Sequence, residues 1–172
     1  MILKAFKEKS NQKYINKLLS GRSTSVNNGK VKTIAVLLNA EEFENFETFK
    51  VFFKELGLNS PKHKILAYSV EDNQDRSKWD AYCGPKDFGW KGKINHIDLQ
   101  TFIDEEYDVL ISYYKKDVLH LNLITALSKA NFKVGISMED ERMYDLIIDV
   151  EPKEIEIFKT EFKKYLNILN KI

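Results

Sequence analysis

The sequence predicts an α/β domain: a three-layer, Rossmann-like or flavodoxin-like fold of about five mostly parallel strands, with a basic N-terminal helical arm. Short apolar, β-branched runs recur through residues 31–150. Between them lie helix-length stretches whose apolar residues recur at spacings of three and four, and strands alternating with helices in this way imply right-handed crossovers and a parallel sheet. The first 33 residues differ sharply from the rest in charge. They hold eight basic residues and one acid, a local charge of +7, whereas residues 34–172 hold 19 basic and 25 acidic residues, or −6.

The elements follow in order. Residues 2–20 have helix-forming composition and stop at Ser20-Gly21. At 100° per residue, Leu3 and Phe6 fall on one side, and Tyr14, Ile15, Leu18 and Leu19 on another, with Ser10-Asn11-Gln12 between them. This reads either as a bend or as two contact surfaces, one for the body and one for a partner. Residues 20–30 (SGRSTSVNNGK) read as a flexible linker. The expected organisation is therefore an arm and linker over 1–30 and an α/β domain over 31–172.

Within the body, Val31–Leu38 reads as a central strand. Glu41–Leu56 reads as a helix with a buried stripe of Phe43, Phe46, Phe49, Phe53 and Leu56, closed by Gly57. Lys64–Val70 and Tyr107–Tyr113 are the next strands, with a short helix over Ile97–Ile103 before the latter. Asp117–Asn131 is an almost wholly apolar helix with Asp117 as N-cap. Phe132–Ser137 and Tyr144–Val150 complete the five strands. The last helix carries Pro152 in its first turn and a core face of Ile155, Phe158, Phe162, Tyr165, Leu166 and Leu169.

A chain of 172 residues, 43% hydrophobic, suits one domain with an ordinary core. Its single cysteine, Cys83, permits no internal disulfide, which suits a reducing cytosol. No apolar run approaches the ~20 residues that span a bilayer, and lysines interrupt every apolar stretch of residues 1–20, so a signal peptide is not expected. The expected location is cytoplasmic.

Parallel sheets bind ligands beyond the carboxyl ends of their strands. The loop after the first strand, Asn39-Ala40-Glu41-Glu42, has neither Gly-x-Gly-x-x-Gly nor a P-loop, and Glu41, Glu42, Glu44 and Glu47 crowd the start of the expected helix, where they repel phosphate. The loop Ser137-Met138-Glu139-Asp140-Glu141 is acidic as well. These acids read as helix-start residues and a solvated loop rather than as oxygen ligands for a divalent cation. Tyr113-Tyr114-Lys115-Lys116 is the basic, aromatic loop of that edge, where Tyr114 and Lys115 are weighed as base or phosphate contacts against an ordinary turn. His63, His96 and His120 lack metal-ligand spacing, so no catalytic residue, metal or cofactor is assigned.

More than thirty residues separate the second and third expected strands, and long loops in compact domains are usually functional or disordered. Trp79, Tyr82, Phe88 and Trp90 argue for a loop pinned on the body. Its segment from Gly84 to Lys93 sets glycines and lysines around Phe88 and Trp90, one recipe for RNA contact. The candidate nucleic-acid-binding residues are therefore Lys4, Lys7, Lys9, Lys13, Lys17, Arg22, Lys30 and Lys32 of the arm, with Lys86, Trp90, Lys91 and Lys93 of the loop.

The segments KYINKLLSGR, PKDFGW, DVLISYY, DLIID and KYLNILNKI resemble an uncharacterised bacterial family of about 170-residue α/β proteins, over essentially the whole chain. The resemblance implies no activity. Residues 107–136 also resemble the opening strand–helix–strand of a Toll/interleukin-receptor domain, without its catalytic-glutamate segment. The functional expectation is a non-enzymatic RNA-associated protein, bound to RNA or the ribosome through its arm. The alternatives are a Rossmann-like enzyme or sensor that binds a small molecule, and an adaptor for an acidic protein or membrane surface.

Overall fold

The computed structural model describes residues 1–71 and 80–172. Its elements run α1 (Ile2–Ser20), β1 (Ile34–Asn39), α2 (Glu47–Glu55), β2 (His63–Tyr68), β3 (Ala81–Cys83), α3 (Ile97–Asp104), β4 (Val109–Tyr113), α4 (Leu119–Leu127), β5 (Phe132–Gly135), β6 (Leu146–Ile147) and α5 (Ile155–Ile168). Every strand pairing is parallel, and the sheet order is β3-β2-β1-β4-β5-β6. This is the Rossmann order, whose switch point falls between β1 and β4.

Among the described residues the sheet has six strands rather than five. The additional strand is the three-residue edge piece β3, held beside β2 and preceded by Asp80, whose carboxylate accepts from the Ile65 amide at 3.0 Å.

The sheet separates two cores. On one face Ala35, Leu37, Leu66, Tyr68 and Leu110 pack under α1, α3 and α4. On the other Ile34, Val36, Leu38, Ile65, Val109, Ile111 and Tyr113 pack under α2 and α5. The central strands are buried on both sides, which explains why they read as unbroken apolar runs. Tyr113 anchors the second core, with ring centroids 5.0 Å from both Phe49 and Phe158 and 5.3 Å from Phe43. Edge-on aromatic pairs of this kind add about 0.5–1.5 kcal/mol beyond area burial.

Several boundaries differ from expectation. The helix expected from Glu41 begins only at Glu47, because Asn39 folds the intervening chain into turns: its side-chain oxygen accepts from Glu41 N, and its carbonyl from Glu42 N and Phe43 N. Asp117 does not cap α4; it accepts from Asn122 Nδ2 at 2.6 Å, and Val118 holds the N-cap position. Pro152 precedes α5 rather than opening it, and Leu169 is exposed. Trp79 lies outside the described residues.

The linker is tied down rather than free. Arg22 pairs with Asp145 at 2.7 Å, Ser25 Oγ donates to the Asn131 carbonyl, Lys171 Nζ donates to Asn27 O, and Lys30 Nζ donates to Asn170 Oδ1 and Ile172 O. Among the described residues no helix is long and apolar enough to cross a membrane.

One buried charge sits under α4. Lys133 on β5 is 4% exposed, its Nζ donates to Thr125 O at 2.7 Å, and burial, aided by Arg22, lowers its pKa from 10.5 to about 8. Between those values the unfolded chain keeps a proton that the fold has released, so this residue's contribution to stability rises with pH. We predict that the stability of wild type relative to Lys133→Met increases between pH 8 and 9.5, by up to about 1.4 kcal/mol per pH unit. Urea denaturation across that range checks it, and a constant difference would contradict it.

Candidate nucleic-acid interface

Helix α1 carries two apolar groups on different sides and no single apolar face. Ile15 and Leu19 are buried in the first core and Tyr14 and Leu18 are half-buried, so this side faces the body, packed on α4. The helix is continuous, so the two apolar groups are two surfaces rather than the two sides of a bend. Leu3 and Phe6 are exposed. Lys9, Lys13 and Lys17 recur at i+4, about 6 Å apart along the axis, and all three are exposed.

Asn11 is the residue that turns this helix into part of a larger surface. It is fully buried; its Nδ2 donates to Gly89 O at 3.0 Å, and its Oδ1 accepts from Gly92 N at 2.9 Å. One amide thus grips both sides of the 89–93 turn. One helical turn earlier, Lys7 Nζ donates to Phe88 O at 3.1 Å. One turn later the Tyr14 ring lies over Gly92, where a Cβ would come within 2.4 Å of the ring carbons. Phe88 is buried, stacked on His120 at 4.4 Å, which anchors the loop in the core. The His120 ring hydrogen-bonds the Tyr68 hydroxyl at 2.8 Å, and burial with the nearby Lys7 charge holds its pKa down at about 4.

These contacts create a groove of about 550 Å³ lined by Ser10, Lys13, Tyr14, Asn16, Lys17, Ser20 and Lys91. Lysines from the arm and from the loop, 74 or more residues apart in sequence, meet here, and none of the lining residues is acidic. Lys9 extends the row by one turn, and Trp90 immediately precedes Lys91 while Lys93 follows it by two residues, both exposed.

The other expected contacts lie elsewhere. Lys4 is exposed and 3.9 Å from Glu8. Lys7, Arg22 and Lys30 spend their charges on the protein's own acceptors. Lys32 is exposed at the amino end of the sheet, where its backbone amide donates to Asp108. Lys86 lines a separate cleft with Ser69, Tyr82 and His96.

The carboxyl edge at the switch point is filled by the chain itself. Glu42 accepts from the Lys115 and Lys116 amides at 3.1 and 3.0 Å, and from Asn39 Nδ2 at 2.9 Å. Glu41 accepts from Val70 N at 3.0 Å. Backbone amides at such a site commonly cradle a ligand's phosphate; here a carboxylate takes that role. Tyr114, weighed as a contact residue, is fully buried, its hydroxyl bonded to Thr125 and Asn122. Lys115 is turned onto Asp149 at 2.5 Å and onto Ile136 O at 3.1 Å. Asp140 pairs with Arg142 at 2.7 Å, which lowers its pKa. Among the described residues no group of three or more His, Cys, Asp or Glu side chains is placed to hold a metal ion.

Sequence reasoning named the lysines but missed Asn11. The signal available was a polar residue at the same angular position as Ile15 on the helical wheel, read as a separator instead of a buried clamp. Asn11→Ala strands two backbone groups, so we predict a loss of about 1–3 kcal/mol together with faster hydrogen exchange at Gly92 N. Denaturation and amide exchange check this; unchanged protection at Gly92 would contradict it.

The chain is similar to two relatives each named Probable GTP-binding protein EngB. That of Rickettsia akari is 22% identical over 173 residues, covering 94% of this chain and 79% of the relative. That of Rickettsia canadensis is 23% identical over 173 residues, covering 94% and 77%. No solved structure matches the chain significantly. A family model described as a family of unknown function (DUF6913) matches residues 7–169, and this chain belongs to that family.

Proposed function

We propose that this protein is a non-enzymatic RNA-associated protein, held on ribosomal particles or another RNA assembly by the basic face that α1 and the 89–93 turn form together. The observation that carries the reading is the groove in which Lys13, Lys17 and Lys91 converge with no acidic neighbour lining it. None of these three lysines makes an ion pair among the described residues, so their charges stay available to an external anion. Each phosphate neutralised releases counterions and gives salt-dependent affinity. The sequence holds no helix-turn-helix, zinc finger or other duplex-reading motif, which favours RNA over DNA.

The GTP binding named for the two relatives is not carried over. The sequence contains no Gly-x-x-x-x-Gly-Lys-Ser/Thr, and Glu42 already accepts the switch-point amides. The same occupancy weighs against the reading as a small-molecule enzyme or sensor.

Deleting residues 1–30 would remove Ile15 and Leu19 from the core, so charge reversal is the sound test. Full-length protein should sediment with ribosomal or other RNA particles from cell extract on a low-salt sucrose gradient. It should move to the top in high salt, after RNase treatment, or as Lys13→Glu/Lys17→Glu/Lys91→Glu. Sedimentation that survives RNase but is lost in the triple variant would replace RNA by an acidic protein partner. Wild type at the top at every salt would refute the reading.

A further inference from the structure

The 90–93 turn breaks a local rule of chain geometry. Lys93 N donates to Trp90 O at 3.1 Å, and both central residues have positive φ, 52° at Lys91 and 75° at Gly92. Below the turn Gly89 N donates to Lys93 O at 2.7 Å, and Phe88 bridges Ile94 antiparallel. This is a two-residue turn with the paired positive φ of type I′, which prefers Asn-Gly, Asp-Gly or Gly-Gly, entered by one extra residue so that Gly89 and Trp90 both stand opposite Lys93. Gly92 fits that preference and Lys91 does not, because a left-handed backbone crowds the Cβ of an L residue against a carbonyl oxygen. Lys91 is exposed, and among the described residues its ammonium has neither hydrogen-bond acceptor nor ion-pair partner, so no polar contact of the fold accounts for a lysine there. Departures from local preference without a structural gain concentrate at functional positions.

The tip is also fastened at several points. Asn11 holds both of its sides, Tyr14 covers Gly92, and Phe88 is buried beneath it. What this anchored tip presents outward is the Trp90 indole, 48% exposed, and the next residue in the chain, Lys91, lines the groove with Lys13 and Lys17. An exposed aromatic one residue from a groove of cations, on a hairpin fastened at several points, is suited to a nucleotide whose base is free to stack. In a duplex the bases are stacked on one another, so a single projecting indole reaches them only in unpaired strands.

Building on the RNA reading above, we propose that the 88–94 hairpin is a single-strand reader: Trp90 stacks one unpaired base while Lys91, Lys13 and Lys17 hold the phosphates beside it. The test uses the full chain with Trp79→Phe, which leaves Trp90 as the one tryptophan. A ten-residue oligouridylate and an RNA duplex of equal length serve as probes, read by anisotropy of a labelled strand and by tryptophan fluorescence. The expected result is tighter binding of the single strand, quenching of Trp90 on binding, and at least a five-fold loss in Trp90→Ala. Lys91→Asn should weaken binding while leaving the melting temperature unchanged or raised, because asparagine suits the turn better. Oligouridylate binding without Trp90 quenching, or with Trp90→Ala unaffected, would overturn the hairpin proposal and leave the RNA reading standing. Equal or tighter duplex binding would likewise overturn it, and no binding of either probe would overturn both.

Discussion

The two hydrogen bonds of the buried Asn11 amide join parts of the chain that the sequence keeps far apart. Lys7 on Phe88 O and Tyr14 over Gly92 reinforce the junction from α1, and Phe88 stacked on His120 ties the loop to α4. With them, the helix and the hairpin make one surface. The amide suits the task chemically: it offers a donor and an acceptor from one planar group, which match a carbonyl and an N–H on the two sides of a tight turn. Burial of the Asn11 side chain raises the cost of losing either bond, because a buried polar group without its partner keeps its desolvation penalty.

Charge is divided to the same effect. The excess of lysine in the first 33 residues does not spread evenly: Lys7, Arg22 and Lys30 are taken up by carbonyls, an amide and Asp145, and serve to fasten the segment. Lys9, Lys13 and Lys17 remain on the outer side of α1. The acids of the body are spent in a different place. At the carboxyl edge of the sheet, Glu41 and Glu42 satisfy backbone amides, and Asp149 and Asp140 neutralise Lys115 and Arg142. The fold thus retains the Rossmann strand order while its ligand edge is closed by its own carboxylates, and the open basic surface lies on a flanking helix.

Much of the fold was legible because periodicity reports burial. Phe49 and Phe53, Phe158 and Phe162, and the apolar runs of β1, β2 and β4 all occupy the buried positions their spacing implies. The edge strand β3 escaped notice because three residues carry no periodic signal, and its pairing is set by β2 rather than by Ala-Tyr-Cys itself. The start of α2 was misplaced for a related reason: Glu41 to Phe46 has helical composition, but Asn39 captures the local amides and Glu42 is drawn across to the β4–α4 loop. Tyr114 looked like a surface aromatic because it follows a strand and precedes two lysines; the chain turns so that it enters the core instead. The lysines of the groove were visible as composition, whereas their convergence rests on Asn11, a polar side chain whose burial no pattern announces.

Photo-crosslinking of the full-length protein to RNA in cell extract, with the adducts mapped by peptide mass spectrometry, tests the joined surface as a whole. Adducts on both the 9–17 stretch of α1 and the 88–94 hairpin are the predicted result. Adducts confined to the carboxyl edge, around residues 39–44 and 115–117, or an absence of RNA adducts, would contradict it.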